Sequence, residues 1–258
     1  MPAWWLKRDL GIIWNVAFSL KKKQGSAVPE GIRIYAVGDV HGRADLLTQL
    51  FSRIDADLAV RPISRPIQVF LGDYIDRGPA SQQVIGCLIE RGLLHETICL
   101  KGNHEVFLTE FLHDPAMMEE WLKFGGVQTL LSYGIAAARI IDPAERSRTA
   151  NALIDALPRS HRHFLASLRS WFLCGDFLFV HAGIRPGIPL EEQEDEDLFW
   201  IRDDFLRCDS NFGMIVVHGH TPVERPEILP NRINIDTGAY ATGRLTCLMI
   251  ERDTVSFL

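Results

Sequence analysis

The chain is short of several things, and each shortage removes a class of protein. Its five cysteines (Cys87, Cys99, Cys174, Cys208 and Cys247) are scattered, odd in number and never in a CxxC pair. That argues against a disulfide framework or a zinc knuckle and for a reducing, cytoplasmic setting. No apolar run is long enough to cross a bilayer: residues 10–20 (LGIIWNVAFSL) reach 11, where a spanning helix needs about 20. Positive charge is also scarce. A net charge of -6 makes broad nucleic-acid binding a poor reading, because affinity for a phosphate backbone needs a basic surface. Internal repeats and low-complexity tracts are missing too, which leaves a globular domain.

What is present fits that frame. At 258 residues the chain can bury a sizeable core in one large domain. The charge is uneven: Lys7, Arg8, Lys21, Lys22 and Lys23 against Asp9 put +4 on residues 1–23 and leave -10 on the rest. Asp9 and the three lysines at 21–23 do not suit a signal peptide. The plainer reading is a basic, aromatic arm docked on the core or on a second subunit. The sharper one is an interfacial helix, with Trp4, Trp5, Ile12, Ile13 and Trp14 among lipid headgroups and peripheral membrane contact through 1–23. Gly25, Ser26 and Pro29 mark a linker, so residues 1–31 read as arm and linker and 32–258 as the catalytic domain.

Along that domain, strands are expected at 33–37, 67–71 and 97–100, with helices over 44–58 and 80–91 and a third starting near His104. Such alternation builds stacked βαβ units, and ligands collect at the carboxyl ends of their strands. Asp39, Asp73 and Asn103 fall at those ends, 34 and 30 residues apart. Residues 106–171 are helical in pattern and read as an insertion over one side of the site. Strands resume at 177–180, 214–217, 232–235, 245–250 and 254–257. The last of these lack intervening helices, which suggests a second, partly antiparallel sheet. The acidic run Glu191 to Asp197 reads as a solvated loop.

Five clusters carry the chemistry: Gly38-Asp39-Val40-His41-Gly42, Gly72-Asp73-Tyr74-Ile75-Asp76-Arg77-Gly78, Gly102-Asn103-His104-Glu105, His181-Ala182-Gly183 and His218-Gly219-His220-Thr221. They supply carboxylate, amide and imidazole ligands of the kind that hard and borderline divalent metals take. Asp39 and His41 can reach one ion from a single loop, Asp73 can bridge two, and Asn103, His181 and His220 can complete the second. Two ions about 3.5–4 Å apart can hold a bridging hydroxide for in-line attack on a phosphate ester. His104, next to a ligand, is placed to be the general acid, with Asp76 orienting its ring. Arg77 can grip phosphate oxygens as a planar fork. His218 reads as a supporting residue, and His95, His113, His161 and His163 as surface or structural ones.

On these motifs, from about Arg33 to Ile250, the chain resembles the calcineurin-like metallophosphoesterases, in the phosphoprotein phosphatase branch, and is similar to bacterial and bacteriophage lambda-type serine/threonine phosphatases. The resemblance implies an α/β fold, a four-layer αββα sandwich of two mixed sheets with a helical insertion. It implies one metal on Asp39, His41 and Asp73 and another on Asp73, Asn103, His181 and His220, with manganese expected first and iron or zinc as alternatives. It places the catalytic pair on His104 and Asp76, phosphate binding on Arg77 and Arg202, and Tyr240 near the pocket. Pro222 stands where many diesterases of this fold carry a further metal-binding histidine, which counts against a nuclease.

The resemblance leaves two substrates in view, a phosphorylated protein and a small phosphorylated metabolite. Symmetric dinucleoside tetraphosphate hydrolases share most motifs but usually carry alanine at the position of Asp76 and aspartate at that of Glu105. The expectation is therefore a serine/threonine protein phosphatase, with a dinucleoside tetraphosphate hydrolase as the alternative. Trp121, Gly125 and Gly126 in the insertion either shape a nucleotide pocket or cover the core. A catalytically silent binding protein would have lost ligands, and none is missing.

Overall fold

The computed structural model describes residues 26–136 and 142–258. The docking-arm and lipid-contact readings of the N-terminus lie outside these residues. Among those described, no helix is long and apolar enough to cross a membrane.

The first half alternates as the sequence pattern predicts: β1 (Ile32–Val37), α1 (Ala44–Val60), β2 (Arg65–Phe70), α2 (Ser81–Leu94) and β3 (Glu96–Cys99). Helices α3 (Asn103–His113), α4 (Met118–Lys123), α5 (Gly126–Ser132), α6 (Pro143–Ala156) and α7 (Arg159–Ala166) follow. The chain then runs through β4 (Trp171–Cys174), β5 (Phe177–Val180), α8 (Asp195–Trp200), α9 (Asp203–Leu206) and β6 (Ile215–His218). It ends with β7 (Glu227–Ile228), β8 (Arg232–Asn234), α10 (Ala239–Thr242), β9 (Cys247–Glu251) and β10 (Thr254–Phe257).

Two mixed five-stranded sheets result, ordered β10-β9-β1-β2-β3 and β4-β5-β6-β8-β7. Side chains alternate across each strand, and β1 shows the outcome. Ile34 and Ala36 face Phe177, Phe179 and Val217 of the other sheet, while Tyr35 and Val37 face the helices with Leu47, Leu50 and Ile54 of α1. Val180 and Val216 turn from the inter-sheet core onto Leu198 and Phe199 of α8. The layers are therefore helix, sheet, sheet, helix. Val28 joins the inter-sheet core, and Ala27 N donates to Asp176 Oδ2 at 2.8 Å.

One expectation fails here. The last strands do not belong to the second sheet: β9 pairs antiparallel with β1, Ile250 opposite Ile34, and β10 pairs with β9. A missing helix between strands says only that the return is antiparallel and needs no crossover; it does not say which sheet has a free edge. Two short strands, β4 and β7, also escaped the pattern. The acidic run is not wholly solvated either. Asp197 lies in α8 at 6% exposure, held by Arg185 Nη2 at 2.6 Å.

Candidate active site

The site lies where β1, β2, β3, β5 and β6 end. Each motif needs a side chain turned inward within a few residues of a strand exit, and the backbone bends sharply to supply it. Among the described residues, positive φ outside glycine occurs at His41 (43°), Asp73 (51°), Asp76 (69°), Arg77 (64°), His220 (65°) and Arg252 (53°). All but the last belong to this site. Each such residue costs on the order of 1–3 kcal/mol, which the surrounding packing must offset.

Asp73 stands at the centre, 2% exposed. Its Oδ2 is 3.5 Å from His41 Nε2 and 3.8 Å from His104 Nε2; its Oδ1 is 3.5 Å from His181 Nε2. One carboxylate therefore presents one oxygen to each half of the site. Atoms of His41, Asp73 and His104 lie within 4.8 Å of one another, as do those of Asp73, His181 and His220. Asp39 adjoins these groups, its Oδ2 accepting from His220 N at 3.1 Å.

The donor set suits divalent cations. His41 Nδ1 donates to the Ile75 carbonyl and His181 Nδ1 to the Leu71 carbonyl, each at 2.9 Å, leaving both Nε2 atoms as lone pairs. Fixing the tautomer in this way is what a carbonyl behind a metal-binding imidazole does. Asn103 Oδ1 then lies 2.9 Å from His181 Nε2 and 2.9 Å from His220 Nδ1. The amide oxygen and the His181 Nε2 lone pair are both acceptors, so that approach calls for a cation. Among the described residues, Asp39 Oδ1 and His220 Nε2 are buried without hydrogen-bond partners. A buried polar atom left this way costs about 1–3 kcal/mol.

Burial separates the histidines by task. It pushes His41 down to about 3 and His220 to about 2, and it lowers His181, so these rings stay neutral with lone pairs free. His104 goes the other way. Burial pushes it down, but the charges of Asp73 and Asp76 outweigh that and raise its pKa. Its Nδ1 donates to Asp76 Oδ2 at 2.7 Å, and its Nε2 has no hydrogen-bond partner among the described residues. A histidine that keeps its proton beside three that do not is suited to acid catalysis.

The two arginines flank opposite halves. The Arg77 guanidinium lies 4.9 Å over the Tyr240 ring, whose edge meets His41 at 5.4 Å between ring centres. Arg77 charge acts on Asp39, His41 and His104, whereas Arg202 acts on His181 and His220. Arg202 Nη1 donates to Thr221 Oγ1 at 3.1 Å.

Glu105 plays a different part from the one its position suggested. It is 1% exposed, and its carboxylate accepts from Gly102 N at 3.0 Å, Asp73 N at 2.9 Å and Tyr74 N at 2.8 Å. It ties the exit of β2 to the exit of β3. His218 is fully buried, its ring edge-on to Phe205 with 5.0 Å between ring centres. Asp236 and Thr129 had no assigned role in the sequence, and Trp121 was read as shaping a pocket or covering the core. Asp236 is a buried carboxyl beside Asp39, pushed up to about 6 by burial. Trp121 and Thr129 both hydrogen-bond to Asp76. Asp236 directly follows the expected strand at 232–235 and Trp121 lies in the aromatic-glycine segment, so a signal existed; for Thr129 there was none.

The family model for calcineurin-like phosphoesterase matches residues 32–248. A bis(5'-nucleosyl)-tetraphosphatase described as asymmetrical, from Anoxybacillus flavithermus, is 27% identical over 239 residues, 85% of this chain and 91% of that protein. Among solved structures, one proposed to be a diadenosine tetraphosphatase aligns with TM-score 0.56 at 19% identity, covering 84% of this chain and 88% of its own. A serine/threonine phosphatase from Saccharomyces cerevisiae aligns with TM-score 0.52 at 16% identity, covering 88% and 77%. At these identities the structural likenesses speak to the fold.

Proposed function

The chain belongs to the calcineurin-like phosphoesterases, and from that premise we propose that it is a metal-dependent hydrolase of dinucleoside tetraphosphates. The observation that carries the chemistry is Asp73, which turns one carboxylate oxygen to His41 and the other to His181. In this reading Asp39, His41 and Asp73 hold one divalent cation and Asp73, Asn103, His181 and His220 the other, with manganese proposed for both. When bound, such a pair neutralises charge on the phosphoryl group and lowers the pKa of water. Arg77 and Arg202 hold phosphate oxygens from either flank. His104 carries a proton on Nε2 and delivers it to the leaving oxygen, while Asp76 fixes the ring through Nδ1.

The relatives' name favours the nucleotide substrate over a phosphoprotein. The two positions that pointed toward a protein phosphatase are buried supports: Glu105 binds backbone amides and Asp76 binds His104. Both side chains are buried, so neither offers a direct contact to a substrate. The free cysteines fit a reducing, cytoplasmic setting.

The test compares diadenosine tetraphosphate with a phosphoserine peptide on one manganese-loaded sample, with products separated by chromatography. We expect kcat/KM to be higher on the nucleotide, and ATP plus AMP as products, as asymmetrical cleavage requires. Two ADP would overturn the asymmetrical assignment. Preference for the peptide would overturn the nucleotide reading and leave the phosphoesterase chemistry standing.

A further inference from the structure

The segment from Trp121 to Thr129 lies in the helical run between β3 and β4, 45 to 53 residues beyond Asp76. Trp121 is fully buried, so it offers no face on which a base could stack. Its indole Nε1 instead donates to Asp76 Oδ2 at 2.9 Å, the same oxygen that accepts from His104 Nδ1. Thr129 Oγ1 donates to the other oxygen, Asp76 Oδ1, at 2.5 Å. The Asp76 amide is held as well, by Ser81 Oγ at 3.0 Å and Thr129 Oγ1 at 2.9 Å. Between these two residues, the Gly125 carbonyl accepts from Arg77 N at 3.2 Å. Gly126 permits the arrangement, since a Cβ there would come within 2.5 Å of the Trp121 ring.

Asp76 and Arg77 both sit on left-handed backbone, at φ of 69° and 64°. A strained turn can hold a side chain to a fraction of an ångström only when neighbours over-determine it. Here every polar atom of Asp76 that faces the segment is taken by it. We propose that Trp121 and Thr129 are positioning residues: the helical segment clamps the Asp76 carboxylate and so aims the proton of His104 at the leaving group. The inference rests on the reading of His104 as general acid.

Leaving groups that need a proton depend on that aim, and leaving groups that depart unaided do not. The experiment measures kcat for Trp121→Phe, Thr129→Val and Thr129→Ser on 4-nitrophenyl phosphate and on a phosphoserine peptide, with His104→Asn as reference. Circular dichroism and manganese per chain are measured on each. Trp121→Phe and Thr129→Val are expected to lose about tenfold or more on the alkyl ester and under about threefold on the aryl ester, the scale set by losing one well-made hydrogen bond to a charged group. Metal content should stay at the wild-type value, and Thr129→Ser should recover most of the loss. Equal losses on both esters, or no loss, would overturn the clamp. If His104→Asn also loses equally on both, the general-acid reading falls with it; if His104→Asn is selective and the clamp variants are not, the clamp alone falls. Should Trp121→Phe fail to fold, the near-isosteric Thr129→Val decides, because it removes the donor to the other oxygen of the same carboxylate.

Discussion

Gly219 offers a direct measure of how tightly this site is built. It precedes His220, and a Cβ on it would lie 2.1 Å from Asp39 Oδ1. Its φ is not in the left-handed region, so alanine there is penalised by contact and not by backbone conformation. A carbon and an oxygen settle at roughly 3.3 Å, so Asp39 must retreat by about 1 Å, the scale at which misplacing a functional group costs about a hundredfold. For a metal ligand, that factor is ~2.7 kcal/mol of binding. The consequence is visible without any activity assay. With manganese at about 100 times the wild-type Kd, binding stabilises the wild type by about 2.7 kcal/mol, and a hundredfold weaker variant by only ~0.4 kcal/mol. At roughly 2–4 °C per kcal/mol for a chain of this size, the manganese-induced rise in Tm should be about 5–9 °C smaller in Gly219→Ala. Calorimetric scans of stripped and loaded protein measure it. An undiminished rise in the variant would show that Asp39 does not hold the metal, or that the turn relaxes freely, and the reasoning would fail.

Three further outcomes follow from the same structure. Protein stripped by a chelator should lose hydrolysis of an aryl phosphate and regain it with added manganese; activity indifferent to chelation would end the two-cation reading. Ile34 is fully buried between the sheets, so Ile34→Ala should cost about 2–5 kcal/mol by urea denaturation, and a cost under about 1 kcal/mol would place it outside a packed core. Burial pushes the carboxyl of Asp57 up, but the hydroxyl of Tyr35 at 2.6 Å and the guanidinium of Arg61 outweigh that and hold it below the usual carboxylate range. A group depressed on folding stabilises above its unfolded pKa, about 3.9, and loses that contribution as pH falls through its folded value. The urea midpoint of the wild type should therefore fall more steeply below about pH 5 than that of Asp57→Asn, and parallel curves would refute the assignment.

The physical reason for each success and failure of the sequence is local. Asp39, Asp73 and Asn103 could be placed together because each follows an apolar run by two or three residues, and consecutive parallel strands of a βαβ unit end side by side. His220 follows the same rule on β6, and His181 comes directly after β5. The error over β9 and β10 arose because apolar alternation shows that a strand is half-buried, while its sheet is chosen by whichever edge is free, here that of β1. Asp197 misled for a similar reason: one carboxylate in an acidic run was paired by Arg185, 12 residues back. For Glu105 the structure adds a role that residue type could not show. Its residue type was read as a marker of substrate, and its three amide bonds make it a brace between two loops.

The sequence by itself determined the chemistry: which carboxylate, amide and imidazole groups are available, in what order, and at which strand ends. Those facts are written in spacings of two or three residues, and short spacing survives folding unchanged. The tertiary structure decided how the groups are held. The left-handed turns at Asp73 and Asp76, the carbonyls behind His41 and His181, and the hold of Trp121 and Thr129 on Asp76 depend on contacts across tens of residues. Such contacts are set by packing between layers, which short spacings along the chain do not reveal.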